Sequence, residues 1–160
     1  MSDITFFSSA FVDKPQSWTC ETSMDVGLLV DASGSIRSHY QDYKDVLEKI
    51  VEHFPITGSG NRFGVVTMVK DKSHVVGYNE IVTSADFVNS LKTFPLAEGN
   101  SNMAASLKSV YDQLLSTSRR NVPKILIVLS DGFKGELVKD GKNAMQWADE
   151  IEGFGIKVCC

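Results

Sequence analysis

Oxygen-bearing side chains follow an apolar run near the start of the chain. Asp31, Ser33 and Ser35 stand at alternate positions directly after residues 26–30. Such a run is typical of a strand buried on both faces, and ligands of open α/β sheets bind beyond the carboxyl ends of these strands. Carboxylate and hydroxyl oxygens suit hard cations such as Mg²⁺, Mn²⁺ or Ca²⁺ and suit Zn²⁺ or copper poorly. The spacing therefore predicts an oxygen-ligated cation site at this strand end.

A second apolar run ends in the same way. Residues 125–129 are apolar and lead into Ser130, Asp131 and Gly132. If the two strands lie side by side, Asp31 and Asp131 meet at one edge of the sheet. Two carboxylates offset the charge of a divalent ion, and hydroxyls add neutral oxygens.

Helical and strand patterns alternate along the rest of the chain. Apolar residues at helical spacing predict a helix with Ser38 as its N-cap, a short helix with Ser84 as its N-cap, and helices around 107–115 and over about 142–152. Further strands are expected over 63–69, 75–78 and 153–160. The link between the first two of these is too short for a crossover helix, so they should pair antiparallel at the sheet edge. We expect a Rossmann-like α/β fold, with a mostly parallel sheet, one short antiparallel edge strand and helices on both faces.

Length and composition indicate a single domain and argue against several classes of protein. The 160 residues suit one domain, which we place at 25–160 after a lead-in of residues 1–24. A net charge of −4 argues against a nucleic-acid or anionic-membrane surface. We see no apolar stretch long enough for membrane insertion and no signal peptide in this chain. The three cysteines match neither a metal-ligand spacing nor a disulfide framework.

The strand-end residues, taken together, resemble a known family. Asp31-x-Ser33-x-Ser35, Asp131-Gly132 and the strand-like strings at 61–66 and 127–132 are similar to the von Willebrand factor A (VWA) domain and the integrin I domain. In that family, the matching residues form a metal-ion-dependent adhesion site (MIDAS) together with a Thr from a middle loop. Ser101 falls at the Thr position and keeps the hydroxyl. The resemblance thus implies that Mg²⁺ or Mn²⁺ is held by five residues: Asp31, Ser33, Ser35, Ser101 and Asp131.

The resemblance also implies a function. The domain would capture an Asp or Glu of a matrix or cell-surface protein at an open metal position, without catalysis, in cell adhesion or extracellular matrix assembly. An extracellular or secreted location follows, with an intracellular assembly scaffold as the nearest variant. The family's last strand and helices are not found before Cys160, so we expect the domain to be incomplete at its C-terminus.

Other interpretations of the same residues remain open. Asp31, Ser33 and Ser35 could form a strand-end turn that caps backbone amides, and Ser101 could be a helix N-cap. Arg119 and Arg120 are expected at a solvated helix end. A Mg²⁺-dependent phosphohydrolase of haloacid-dehalogenase type also places an aspartate after an apolar strand, but it needs a second Asp where this chain has Ser33.

Overall fold

The computed structural model describes residues 23–57, 59–68, 73–92, 101–130, 141–153 and 155–159, without the side chains of 157–159. Strands and helices alternate along these ranges, as the sequence pattern predicts. The strands are β1 (Asp25–Asp31), β2 (Arg62–Met68), β3 (Val75–Val76), β4 (Lys124–Leu129) and β5 (Lys157–Cys159). The α-helices are α1 (Tyr40–His53), α2 (Ser84–Leu91), α3 (Met103–Ser109) and α4 (Ala144–Gly153).

The strands form one sheet in the order β3-β2-β1-β4-β5. β1 lies at its centre and pairs in parallel with both β2 and β4, and β5 extends the parallel part. β3 pairs antiparallel with β2 and lies at the edge, with Val65 opposite Val76. The predicted Rossmann-like fold is confirmed. The condition for bringing the two polar strand ends together is also met, because β1 and β4 are neighbours.

Helices cover both faces of the sheet. α1 and α2 pack on the face that carries Val26, Leu28 and Val30 of β1, whereas α3 and α4 pack on the face that carries Leu29. This two-sided burial explains why β1 is apolar without alternation. No helix in the described part of the chain has the length and apolar character needed to cross a membrane.

Two helices begin differently from the sequence-based expectation. A 3-10 helix, Gly34–His39, leads directly into α1, so Ser38 lies inside a helical turn and is not an N-cap. α2 is capped by Thr83, whose hydroxyl accepts a hydrogen bond from the Asp86 N–H in a capping box. The Ser84 hydroxyl instead accepts the Ile56 N–H at 3.0 Å and ties α2 to the segment after α1.

The amino end of β1 carries a buried carboxylate held by two arginines. Asp25 is fully buried and accepts hydrogen bonds from Arg62 Nε at 3.0 Å, Arg62 Nη2 at 2.9 Å and Arg119 Nε at 2.9 Å. The Arg119 N–H adds a fourth at 2.6 Å. The expectation that Arg119 is solvated is wrong, because Asp25, remote in sequence, draws its side chain inward. Burial alone would raise the pKa of Asp25, but the hydrogen bonds from Arg62 and Arg119 outweigh it and lower that pKa.

Replacing Asp25 should cost stability in a pH-dependent way. Asp25→Asn leaves both guanidinium groups without their counter-charge and should lower the free energy of unfolding by about 3 kcal/mol at neutral pH. Because the folded-state pKa of Asp25 is lowered, its contribution is complete above the unfolded-state pKa of about 3.9 and is lost as the pH falls below it.

Denaturant unfolding at about pH 7 and about pH 2.5 measures this effect. The difference between wild type and Asp25→Asn should shrink at the lower pH. Asp112→Asn, which removes the exposed pair with Lys108, is the matched control and should cost less than about 0.5 kcal/mol. A loss for Asp25→Asn as small as that of the control would contradict the assignment.

Candidate metal centre

The carboxyl ends of β1 and β4 bring the predicted site residues to one edge of the sheet. Asp31 ends β1 and is fully buried. Ser130, directly after β4, has its Oγ 3.5 Å from Asp31 Oδ2. Asp131, the next residue, lies outside the described residues, so its role as a ligand stays a prediction.

Both carboxylate oxygens of Asp31 face hydrogen-bond donors. Oδ1 accepts the Ser33 N–H at 2.8 Å, and this bond closes the turn after β1. Oδ2 lies 3.4 Å from the Ser101 hydroxyl, which donates to it across a separation of 70 residues in sequence. The strand-end turn that was the alternative interpretation is therefore present, but it uses only one of the two oxygens.

The two serine hydroxyls after β1 contact each other. Ser33 Oγ and Ser35 Oγ are 2.8 Å apart. The Ser35 side chain is exposed, whereas Ser33 is only 2% exposed. Ser35 thus lies where the cluster opens to solvent, and Ser33 lies between it and the buried carboxylate.

Ser101 is not the N-cap of the helix that follows it. α3 is capped by Asn102, whose side-chain oxygen accepts the Ala105 N–H at 2.9 Å. Because Asn102 accepts the free N–H at the start of α3, the Ser101 hydroxyl is not needed as a cap and can donate to Asp31. The structure thus brings together four of the five predicted residues: Asp31, Ser33, Ser35 and Ser101.

The charges around this cluster fit a cation. Asp31 forms no ion pair with any described Lys, Arg or His, in contrast to Asp25 at the other end of the same strand. A buried carboxylate is costly unless a positive charge compensates it. Its described neighbours are hydroxyls and one N–H, and hydroxyl oxygens are donors that Mg²⁺ and Mn²⁺ accept. The donor set present is therefore compatible with a hard divalent cation.

Sequence reasoning missed two residues of this region. Ser130 adds a hydroxyl beside Asp31. Its position between an apolar strand and Asp131 could have indicated that it lies at the site. Asn102 provides the helix cap, and the signal was an Asn directly before a helical pattern.

The fold agrees with comparisons to known proteins. The von Willebrand factor type A domain family matches residues 25–160, and the chain belongs to this family. Vitrin from Bos taurus is 26% identical over 117 residues, which cover 72% of this chain and 18% of vitrin. The collagen alpha-6(VI) chain of Mus musculus is 29% identical over 135 residues, or 79% of this chain and 6% of the collagen chain. The chain thus spans less than a fifth of the length of these relatives.

Solved structures share the architecture. Proximal thread matrix protein 1 from the mussel byssus superimposes with a TM-score of 0.75 at 24% identity, over 87% of this chain and 35% of that protein. A second structure of that protein, with a zinc-occupied MIDAS motif, gives a TM-score of 0.73 at 23% identity over the same shares of the two chains. At this identity, the likeness supports the fold.

Stability measurements can test whether Asn102 caps α3 and Ser101 does not. Asn102→Ala should lower the free energy of unfolding by about 1 kcal/mol, because α3 loses its cap. Ser101→Ala should cost less, since its bond to Asp31 is long and no helix end depends on it. Denaturant unfolding of the two variants without divalent metal measures both values. A smaller loss for Asn102→Ala than for Ser101→Ala would contradict the assignment of Asn102 as the stabilising cap.

Proposed function

We propose that the chain is a protein-binding module of adhesion type that acts through a divalent cation. The cation, Mg²⁺ or Mn²⁺, is held by Asp31, Ser33, Ser35, Ser101 and Asp131. Bound there, it supplies a positive charge with one coordination position left for a carboxylate of the partner.

The environment of the Asp31 carboxylate is the main support for this proposal. The Asp31 carboxylate is fully buried and is surrounded, among the described residues, by neutral hydrogen-bond donors. A structural carboxylate in a core is ordinarily paired with a cationic side chain, as Asp25 is with Arg62 and Arg119. A cation at the opening beside Ser35 would compensate Asp31 and remain accessible to a partner.

The chemistry of the site favours binding over catalysis. Ser33 and Ser35 hydrogen-bond to each other, whereas Nδ1 of His39 pairs with Asp42 and Nδ1 of His53 with the Lys49 carbonyl. In the described part of the chain, no histidine hydrogen-bonds either hydroxyl, as the activation of a serine nucleophile would require. A carboxylate of the partner would be held by charge, in a contact that depends on the metal.

The relatives support an extracellular setting. They include a collagen chain, and the neighbouring structures include a thread matrix protein. We infer that this module works in cell adhesion or matrix assembly and binds a matrix or cell-surface protein through an Asp or Glu of that protein. The zinc-occupied MIDAS motif of the thread matrix protein supports a divalent ion at this position of the fold.

Metal binding should raise thermal stability. At a Mn²⁺ or Mg²⁺ concentration of about ten times the dissociation constant, binding to the folded state adds about 1.4 kcal/mol. The melting temperature should then rise by about 3–6 °C. Asp31→Ala should abolish the rise, and Ser35→Ala should shift it to higher metal concentrations.

Asp112→Asn is the control for this experiment, because it removes an exposed carboxylate on the π-helical turn Val110–Leu114 that follows α3. It should keep the full metal-dependent rise. An equal rise in wild type and Asp31→Ala would mean that the cation binds elsewhere. No rise for wild type at millimolar metal would overturn the proposal.

Capture of an acidic group can be tested with short peptides. A glutamate-containing peptide should bind in the presence of Mn²⁺ and dissociate when EDTA is added, because its carboxylate takes the open metal position. The same peptide with glutamine should not bind, since an amide lacks the charge. Fluorescence anisotropy of labelled peptides measures both. Equal binding of the two peptides, or binding that survives EDTA, would contradict a metal-mediated contact.

A further inference from the structure

A groove separates α1 from α2 on the outer side of the domain. It has a volume of about 500 Å³ and opens to solvent. This volume is in the range of ligand clefts, about 300–1,000 Å³. Its lining includes apolar side chains of Val51, Pro55, Ala85 and Val88 and two carboxylates, Glu48 and Glu52.

The walls of the groove are fixed at both ends. The Tyr40 hydroxyl at the start of α1 donates to the Leu91 carbonyl at the end of α2, at 3.3 Å. At the other end, the Ile56 N–H donates to Ser84 Oγ at 3.0 Å. The two helices are therefore antiparallel and tied at both ends, so the groove is preformed.

The two charged side chains that line the groove are both carboxylates of α1, and Lys92 on the α2 side donates to the lining residue Asn89 at 3.0 Å. Glu48 and Glu52 are four residues apart on α1 and lie on the same face of the helix. Neither forms an ion pair with another described residue. Like charges at this spacing destabilise a helix slightly. Lys44 and Lys49 stand at helical spacing from Glu48 and Glu52 on α1, but neither lysine forms an ion pair with them.

We propose that this groove binds an extended segment of a partner protein that carries Lys or Arg at alternate positions. A Lys or Arg side chain can lay its aliphatic part on the apolar lining while its charge reaches a carboxylate. Glu48 and Glu52 are separated by about 6 Å along the helix axis. Alternate residues of an extended chain are separated by about 6.6 Å, so two basic side chains match the two carboxylates.

This surface is distinct from the candidate metal centre. The metal centre is built on the carboxyl ends of β1 and β4 and would bind an acidic group, whereas the groove lies between two helices and would bind a basic one. A partner with a basic segment would thus contact the module independently of any divalent cation.

A defined peptide can test the groove. The probe is acetyl-Val-Lys-Val-Lys-Val-amide, with a control peptide in which both lysines are glutamine. In ¹H–¹⁵N spectra of the full chain recorded with EDTA, the lysine peptide should shift amides of α1 and α2 around the groove, and the glutamine peptide should not. The Glu48→Gln/Glu52→Gln variant should bind about threefold to tenfold more weakly, since it loses two exposed charge pairs.

The matched control is Asp149→Asn/Glu152→Gln, which removes two exposed carboxylates of α4. It carries the same change in net charge and should bind the lysine peptide as wild type does. Neither variant should melt below wild type, because glutamine at 48 and 52 removes a slightly destabilising like-charge pair and the control changes exposed side chains only. Equal weakening in both variants, shifts that map outside the groove, or equal binding of the two peptides would overturn the proposal.

Discussion

The structure depends on how a buried carboxylate at the end of the central strand is compensated. β1 pairs with β2 on one side and β4 on the other, and helices cover both faces. Asp31, at the carboxyl end of this central strand, is fully buried. Ser33, Ser101 and Ser130 come from three separate loops to surround it, and all three supply neutral groups. A fixed divalent cation is the compensation that these donors fit.

Each end of β1 buries a carboxylate, and the two carboxylates differ in how their negative charge is compensated. Asp25 and Asp31 are both fully buried and lie six residues apart on one strand. Asp25 accepts hydrogen bonds from the guanidinium groups of Arg62 and Arg119. Arg119 also donates to the Met24 and Gly60 carbonyls and so connects the segments at that end of the sheet. Asp31 has no such partner among the described residues, and Ser35 beside it is exposed. One end is therefore closed by protein charges, and the other is suited to an external ion and a partner's carboxylate.

Much of this arrangement could be predicted from the sequence because it depends on local pattern. The unbroken apolar run before Asp31 predicted a central strand, and the short link before Val75 predicted the antiparallel edge. Side-chain contacts between residues far apart in sequence could not be derived from local pattern alone. Nothing near Arg119 signals that Asp25 will bind it. The cap of α2 is different, because the spacing Thr83-x-x-Asp86 is a capping-box pattern and favours Thr83 over Ser84. Ser101 was assigned to the site by resemblance, and its contact with Asp31 depends on Asn102 taking the helix end.

The most direct measurement is anomalous diffraction from crystals grown with Mn²⁺. We expect a manganese peak beside Asp31. The hydroxyl oxygens of Ser33 and Ser35 and the side chains of Ser101 and Asp131 should bind the ion directly or through water. A peak bound elsewhere, or Mn²⁺ absent while Asp31 keeps its bonds to the Ser33 N–H and the Ser101 hydroxyl, would contradict the assignment of this strand end as a metal centre.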